Sequence, residues 1–234
     1  MNLVQLTRHD HAGLRIDPVR AAAAAATVHM VPLVLGEIRK LAPHFPIVLA
    51  KDGETGQFYP AALLGLEPHE NLFWTGETFD AAQVPLNLLR LPFFIGDGAI
   101  CIDADSPAIT PDGPCAIVES DGSDSAYLRS IQAILSDLAG QQEATRRFVD
   151  ALVARRLVVE LTLDVAFANG AKAKLSGLYG IDEQALARDP AIMADFGDVL
   201  TPAAMVFSLD HIASLVRRKN TRLAAEAQWF GKPA

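Results

Sequence analysis

Apolar residues fall along this chain in short runs with different periods. His44-Phe-Pro-Ile-Val-Leu-Ala50 and Gln57-Phe-Tyr-Pro-Ala-Ala-Leu-Leu-Gly-Leu66 are apolar at successive positions and enclose the polar Lys51-Asp-Gly-Glu-Thr-Gly56. Such runs predict two strands and a glycine-bearing turn in the middle of a sheet covered on both faces. Asn2 to Leu6, Gly13 to Ile16 and Ala99 to Ile102 read as further short strands, and Pro85 to Leu91 as a helical turn leading into Pro92-Phe-Phe-Ile95. Ala21 to Thr27 favours helix by propensity, and Val31 to Leu41 predicts another helix, stopped by Pro43.

The second half is more helical. Leu128, Ile131, Leu135 and Leu138 recur every three or four residues, with Ser123 or Ser125 as cap, and Val149 and Leu152 resume the register. Gly140, with Gln142 and Thr145 on the seam, predicts one long kinked helix or two helices broken there. The stripe favours packing on the protein's own core over a dimeric coiled coil. Val159 to Phe167 alternates strictly and returns through Ala171 to Ile181. A three-residue turn, Ala168-Asn169-Gly170, pairs Phe167 with Ala171 and Leu163 with Leu175, with Gly170 left-handed; a two-residue turn would reverse the faces. This register puts Ala171, Ala173, Leu175 and Tyr179 on one face and Lys172, Lys174 and Ser176 on the other. Asp182 or Asp189 can start short helices, and Thr201-Pro202 predicts a cap with proline at the first helical position. Val206, Leu209, Ile212 and Leu215 or Val216 form the apolar stripe expected of the last helix. The tail from Asn220 is expected to be loosely held, with Trp229-Phe230 free to dock.

These elements predict an α+β protein: an N-terminal, mostly β lobe around a central buried hairpin, then C-terminal helices plus a β-hairpin. One domain over residues 1–220 is expected, with lobes 1–118 and 124–220 as its natural division and 221–234 as the tail. Between Leu91 and Leu128 there is no lysine or arginine, whereas acids, prolines and glycines crowd the interval. That interval suits a lobe boundary or a long loop.

Composition narrows the classes. The 234 residues are 50% hydrophobic and 21% charged, as in an ordinary globular chain. A formal net charge of -8 argues against nucleic acid as the main partner. The basic run Arg217-Arg218-Lys219 with Arg222 reads as the cationic end of a helix complementing its dipole. Ala21 to Gly36 is too short for a membrane span and carries His29 and Pro32, and no basic region precedes it as in a signal peptide. A cytoplasmic location follows as the expectation, although export without an N-terminal signal would leave no trace in this pattern. Cys101 and Cys115 are too few for zinc; reduced thiols are the default, with a disulfide as the alternative.

Candidate chemistry is sparse. His9-Asp10-His11 lacks a third partner for a metal and reads as a solvated turn. His44, His69 and Glu70, with Asp103 and Asp105, lie near expected strand ends, where an Asp-x-Asp pair could hold a divalent cation and a histidine act as base. The competing reading has the aspartates capping a turn and the histidines at strand entries. Asp52-Gly-Glu-Thr-Gly56 lacks the phosphate-loop pattern, Asp121-Gly-Ser-Asp124 is too short for a calcium loop, and no nucleophile elbow is present. No catalytic residue, metal or cofactor is therefore assigned. Phe73-Trp74 and Phe93-Phe94 read as core before they read as a groove for peptide or sugar. His44, His69, Glu70, Trp74, Asp103 and Asp105 are the residues marked as candidates for ligand or partner binding.

The segments His44-Phe-Pro-Ile-Val48, Ala62-Leu-Leu-Gly-Leu66, Glu70-Asn-Leu-Phe73, Arg90-Leu-Pro-Phe93, Cys101-Ile-Asp103 and Gly177-Leu-Tyr179 stand in an order that resembles the bacterial SapC family, as does the ending from Ser208-Leu209. The resemblance runs over roughly residues 3 to 220. It is not to the peptide-transporter permease of the same name, which spans the membrane. The family name comes from a protein associated with a bacterial surface layer, and members are often encoded near TonB-dependent receptors and halogenase-like proteins. The resemblance therefore implies a non-enzymatic accessory protein that binds a protein or peptide partner in an envelope or nutrient-uptake system. A surface-layer structural role, with self-assembly into a homo-oligomer, is the second expectation, and a metal-dependent enzyme built on the Asp103 and Asp105 loop the third.

Overall fold

The computed structural model describes residues 1–189 and 199–230, the last two by backbone alone. A helix begun at Asp189 and the docking of Trp229-Phe230 lie outside what is described. The fold is α+β, with strands and helices mixed through two compact units that exchange the chain several times. The first unit comprises Met1–Ala26, Trp74–Asp80 and Val84–Gln141; the second comprises Thr27–Phe73, Ala81–Gln83 and the described residues from Gln142 onward.

In the first unit, β1 (Leu3–Gln5), β7 (Ala99–Asp103) and β6 (Phe93–Gly96) form an antiparallel sheet in that order. A second ribbon pairs β2 (Arg15–Ile16) with β8 (Cys115–Ala116). Helix α1 (Pro18–Ala23) starts where the Asp17 carboxylate accepts from the Val19 and Arg20 N–H groups, with Pro18 at the first helical position. It passes into a 3-10 turn over Ala24–Thr27, so the helix expected at Ala21 begins earlier and tightens. Helix α3 is the short Leu86–Leu89. The core gathers Ile16, Phe93, Ile102, Ile117, Leu128, Ile131 and Leu135. Both cysteines are free thiols.

Helix α4 (Ala126–Ala154) begins where Ser125 Oγ accepts from the Leu128 N–H at 3.0 Å. It continues unbroken for 29 residues, so the two-helix alternative is overturned. Gly140 is exposed with nothing near its Cα face, and one solvent-facing glycine costs only about 1 kcal/mol, too little to break a helix anchored on both sides. Its seam is the expected one: Leu128, Ile131, Leu135, Leu138, Val149 and Leu152 are all buried. Among the described residues no helix is long and apolar enough to cross a membrane.

The second unit is built on a five-stranded antiparallel sheet in the order β3, β5, β4, β10, β9. These are β3 (Met30–Pro32), β4 (Ile47–Lys51), β5 (Phe58–Leu63), β9 (Val158–Ala166) and β10 (Lys172–Ile181). The hairpin of β4 and β5 is central, as its two-faced apolarity predicts. β3 replaces the first turns of the helix expected from Val31: Val31 pairs with Ala62, and α2 (Leu35–Leu41) starts only after the strand. A β-branched residue beside a proline suits an edge strand, where proline's missing N–H costs no ladder bond. The N-terminus of α2 is held by Thr145 Oγ1, which accepts from the Leu35 N–H at 2.8 Å.

The β9–β10 pairing has the expected register, with Leu163 opposite Leu175 and the Phe167 N–H donating to the Ala171 carbonyl at 2.8 Å. Gly170 closes the turn at φ +85. Beyond Leu175 the register slips by one: Leu178 meets Leu161, where an unslipped ladder would have put Gly177, and Gly177 stands at φ +73. This bulge moves Tyr179 to the face opposite Leu175, correcting the expected alternation, and Tyr179 meets Phe58 edge-on at 4.8 Å.

The C-terminal helices are α5 (Glu183–Arg188), capped by Asp182, α6 (Leu200–Ser208) and α7 (Ile212–Phe230), the last two joined by a 3-10 turn. Helix α6 begins before Thr201, so Thr201 is no cap and Pro202 lies inside its first turn. The buried stripe is Met205, Ser208, Leu215 and Lys219, in place of the expected Val206 and Leu209 positions. Ser208 belongs on it because its Oγ accepts from the Ile47 N–H at 2.9 Å and donates to the Met205 carbonyl at 2.7 Å. The tail is not loose from Asn220, since α7 continues through Phe230 and Asn220 Oδ1 accepts from the Ala168 N–H.

Inserting one residue between Asn169 and Gly170 reverses the faces of one strand against the other. Cross-strand pairs contribute about 0.2–1 kcal/mol each, so we expect thermal unfolding to fall by several degrees. An unchanged midpoint in a melting scan would rule the register out.

A groove at the open edge of β10

The second unit carries a groove of about 310 Å³ on one face of its sheet. Strand pairing places its floor: Met30 lies opposite Leu63, Tyr59 opposite Ala50 and Ala50 opposite Leu178, so these side chains share a face. Leu175 joins them because the bulge returns Leu175 and Leu178 to the same side, opposite Leu163 and Leu161. Glu67 and Pro68 form one wall, and Lys51 and Lys174 stand at the rim. Burial, then the charge of Asp52, raises the Tyr59 hydroxyl pKa, so it stays protonated and can donate.

Beside the groove β10 has an unpaired edge. β4 meets β10 only at Leu178 and Tyr179 and ends at Lys51, whereas β10 starts at Lys172. Phe167 and Ala171 exchange a hydrogen bond, and such pairs alternate along an antiparallel ladder. Lys172 and Lys174 therefore turn their N–H and C=O groups away from β9, toward the side that β4 has vacated. No backbone bond engages them there among the described residues. Their side chains make no ion pair among the described residues either.

The groove's wall is fixed from behind by helix α7. Lys219 Nζ lies 2.6 Å from Glu67 Oε2 and 2.6 Å from Glu70 Oε1. Glu70 Oε2 also accepts from the Leu66 N–H at 3.0 Å, closing the turn from Leu66 to Glu70 in which His69 takes φ +61. Gly65 fits under it because a side chain there would lie 2.2 Å from the Glu70 carbonyl oxygen. Arg222 donates to the Asn71 carbonyl at 2.9 Å, and the Arg218 guanidinium sits 4.3 Å from the Phe73 ring centroid. The basic run is thus not the end of a helix facing its dipole. It lies mid-helix and holds segment 65–73. Burial alone would lower the Lys219 pKa, but hydrogen bonds and charges from Glu67 and Glu70 outweigh it and the net direction is upward.

The residues marked from sequence fall as follows. Glu70 is buried in the Lys219 cluster, and His69 beside it is exposed. His44 is half-buried at the entry to β4, its ring edge-on to Phe45. These three belong to the second unit; Trp74, Asp103 and Asp105 belong to the first. Trp74 bridges to Phe79, and Asp103 Oδ1 accepts from the Asn2 N–H at 2.7 Å and the Asp105 N–H at 3.4 Å. Among the described residues no three His, Cys, Asp or Glu side chains stand together as a metal-ion site. Phe73 and Phe93 are core, and Phe94 carries Arg90 over its ring at 4.2 Å. Sequence reading missed Lys51, Lys174 and Lys219 as groove and support residues. For Lys219 the signal was present: it falls four residues after Leu215, on the buried stripe, and a charge there requires buried partners.

A model of the SapC family matches residues 6–215. The chain belongs to the SapC family. No curated protein and no solved structure matches it. All the groove residues lie within the matched SapC segment, as do Glu67, Glu70 and Asn71, whereas Lys219 and Arg222 lie beyond its end.

Lys219→Met leaves Glu70 buried without its cation, and breaking such a pair costs about 3–5 kcal/mol. We expect a large loss of melting temperature at neutral pH, partly restored by adding Glu70→Gln, as read by calorimetry. Because the folded-state pKa of Lys219 is raised, its contribution is complete below the ordinary value of 10.5 and is lost as pH rises through the folded value. Wild-type stability should therefore fall above about pH 10.5 by an increment that Lys219→Met lacks.

Proposed function

We propose that this chain is a non-enzymatic binding protein that takes an extended segment of a protein or peptide partner as an added strand along Lys172 to Ser176. The observation that carries the reading is the unpaired edge of β10 beside an apolar groove. In strand addition, main-chain hydrogen bonds supply affinity and pockets for alternate side chains supply selectivity. Here alternate residues of the incoming strand would reach the groove floor of Leu175, Leu178 and Tyr59, and the others would face Lys51, Lys172 and Lys174. The partner segment should therefore alternate apolar with acidic residues. Edge lysines also discourage indiscriminate strand pairing, so an acidic segment is selected over a neutral one.

Two further features support binding over chemistry. Glu70 is committed to Lys219 and to the Leu66 N–H, and Asp103 to the Asn2 N–H, so these carboxylates hold backbone in place. Within an envelope or nutrient-uptake system, the accessory role implied for the family would consist of docking a receptor or a tailoring enzyme through this edge.

The test is purification of the tagged chain from its own host after separating cytosol from envelope, with mass spectrometry of what accompanies it. Lys174→Pro removes an N–H that no ladder bond uses, so the fold should survive. Recovery of the partner should drop about tenfold, the loss of one or two main-chain hydrogen bonds. Equal recovery by the variant overturns the strand-addition reading. If the captured species is a second copy of this chain, concentration-dependent assembly that Lys174→Pro abolishes would favour the surface-layer role instead.

A further inference from the structure

The first unit holds a cavity of about 300 Å³ that the groove reading does not use. Its lining has no charged side chain. One wall is the alanine-rich passage from α1 into the 3-10 turn, where Ala21, Ala22 and Ala25 present only methyl groups. Opposite stand Tyr127, Ser130, Ile131 and Ile134, one stripe of α4 at helical spacing. Leu88 and Leu89 of α3 close a third side, with Leu89 45% exposed at the rim.

Two observations distinguish this cavity from a packing defect. Ser130 Oγ, on the exposed side of α4, donates to the Tyr127 carbonyl one turn back at 2.7 Å, but the Tyr127 hydroxyl makes no hydrogen bond among the described residues. It is not sealed off either, since no buried side-chain polar atom among the described residues is left without a partner. Tyr127 thus brings to the lining a hydroxyl that is unpartnered and reached by solvent, and Ser130 is the other polar residue of a lining that is apolar elsewhere. An apolar pocket with one or two placed polar groups is the usual form of a small-molecule site. Burial, with a smaller push from Cys115, raises the Tyr127 pKa to about 12, which keeps the phenol neutral and able both to donate and to accept.

We propose that this cavity binds an uncharged, largely apolar small molecule with one hydrogen-bonding group, a hydroxyl or carbonyl, directed at Tyr127. Its size follows from volume: a cavity of about 150 Å³ takes benzene, so this one takes roughly a dozen non-hydrogen atoms. A carboxylate or ammonium would enter without any counter-charge in the lining, and its desolvation would oppose binding. The ligand class is therefore a medium-length aliphatic alcohol or ketone, or a two-ring aromatic.

The probe is 1-naphthylamine, a neutral two-ring fluorophore within that size, titrated into the intact chain. The expected result is one saturable site per chain, with 1-octanol displacing the probe and octanoate failing to do so at matched concentration. Ala22→Phe, on the half-buried wall, should weaken the probe at least about tenfold with unchanged melting. Tyr127→Phe should leave the probe bound but weaken 1-octanol by about fivefold to tenfold, one hydrogen bond. Leu89→Trp at the rim should gain energy transfer to the bound probe over wild type, which places the site even where Ala22→Phe fails to fold. Lys174→Pro should bind the probe as wild type does, so this site and the groove stand or fall separately. Absence of probe binding, binding undiminished in folded Ala22→Phe, no added transfer in Leu89→Trp, or octanoate equal to octanol would each overturn the proposal.

Discussion

An ammonium group inside a protein must have partners, because its desolvation is repaid only by close charges and hydrogen bonds. The second unit depends on how that condition is met at Lys219. Glu70 and Glu67 are both within 2.6 Å of its nitrogen, and they come from the segment that follows the central hairpin. To meet the lysine, the chain makes a close turn over Gly65, places His69 at positive φ and buries Asn71 completely. The turn then presents Glu67 and Pro68 as the wall of the groove. One buried charge on α7 thereby determines where the groove's side stands, through elements distant in sequence.

The sheet's contribution is a mismatch in length. β10 has ten residues and β4 has five, and they pair at only two positions. β9 supports the protruding half of β10 from the other side, so it remains extended while one edge is open. The bulge after Leu175 has a second consequence. It keeps Leu175 and Leu178 on one face, giving the groove a continuous apolar floor, and sends Tyr179 across to Phe58. One additional residue in a strand thus joins the open edge to an apolar surface.

The two units present different chemistry. The groove has lysines at its rim and an unpaired main chain beside it. The cavity of the first unit has no charge in its lining and owes its room to alanines where larger side chains would have filled it. An alanine run is a strong helix former whatever it faces, so its role in shaping a hollow could not be inferred from its propensity.

The sequence by itself determined the parts governed by short-range periodicity. These include the central hairpin from its two-faced apolarity, the α4 seam with a cap at Ser123 or Ser125, and the β9–β10 register with Gly170 in its turn. The alternation of Leu161, Leu163 and Val165 is enough to exclude a two-residue turn, since a slip of one exposes every apolar side chain. Of the residues marked for function, Glu70 proved to lie in the support of the groove, while His69 was adjacent and the others stood elsewhere. Tertiary structure alone decided the rest. Val31 became a strand because Ala62 was available to pair with it, and periodicity does not distinguish a short apolar run in a strand from one in a helix. Gly140 did not break α4 because both halves of that helix are packed. The basic run became a set of supports because Glu67, Glu70, Asn71 and Phe73 lie about 150 residues away in sequence, as the Lys219–Glu70 separation of 149 shows. Local rules specify which way a side chain points along its own element; which group it meets depends on contacts between distant segments, and those set the open edge, the groove wall and the cavity.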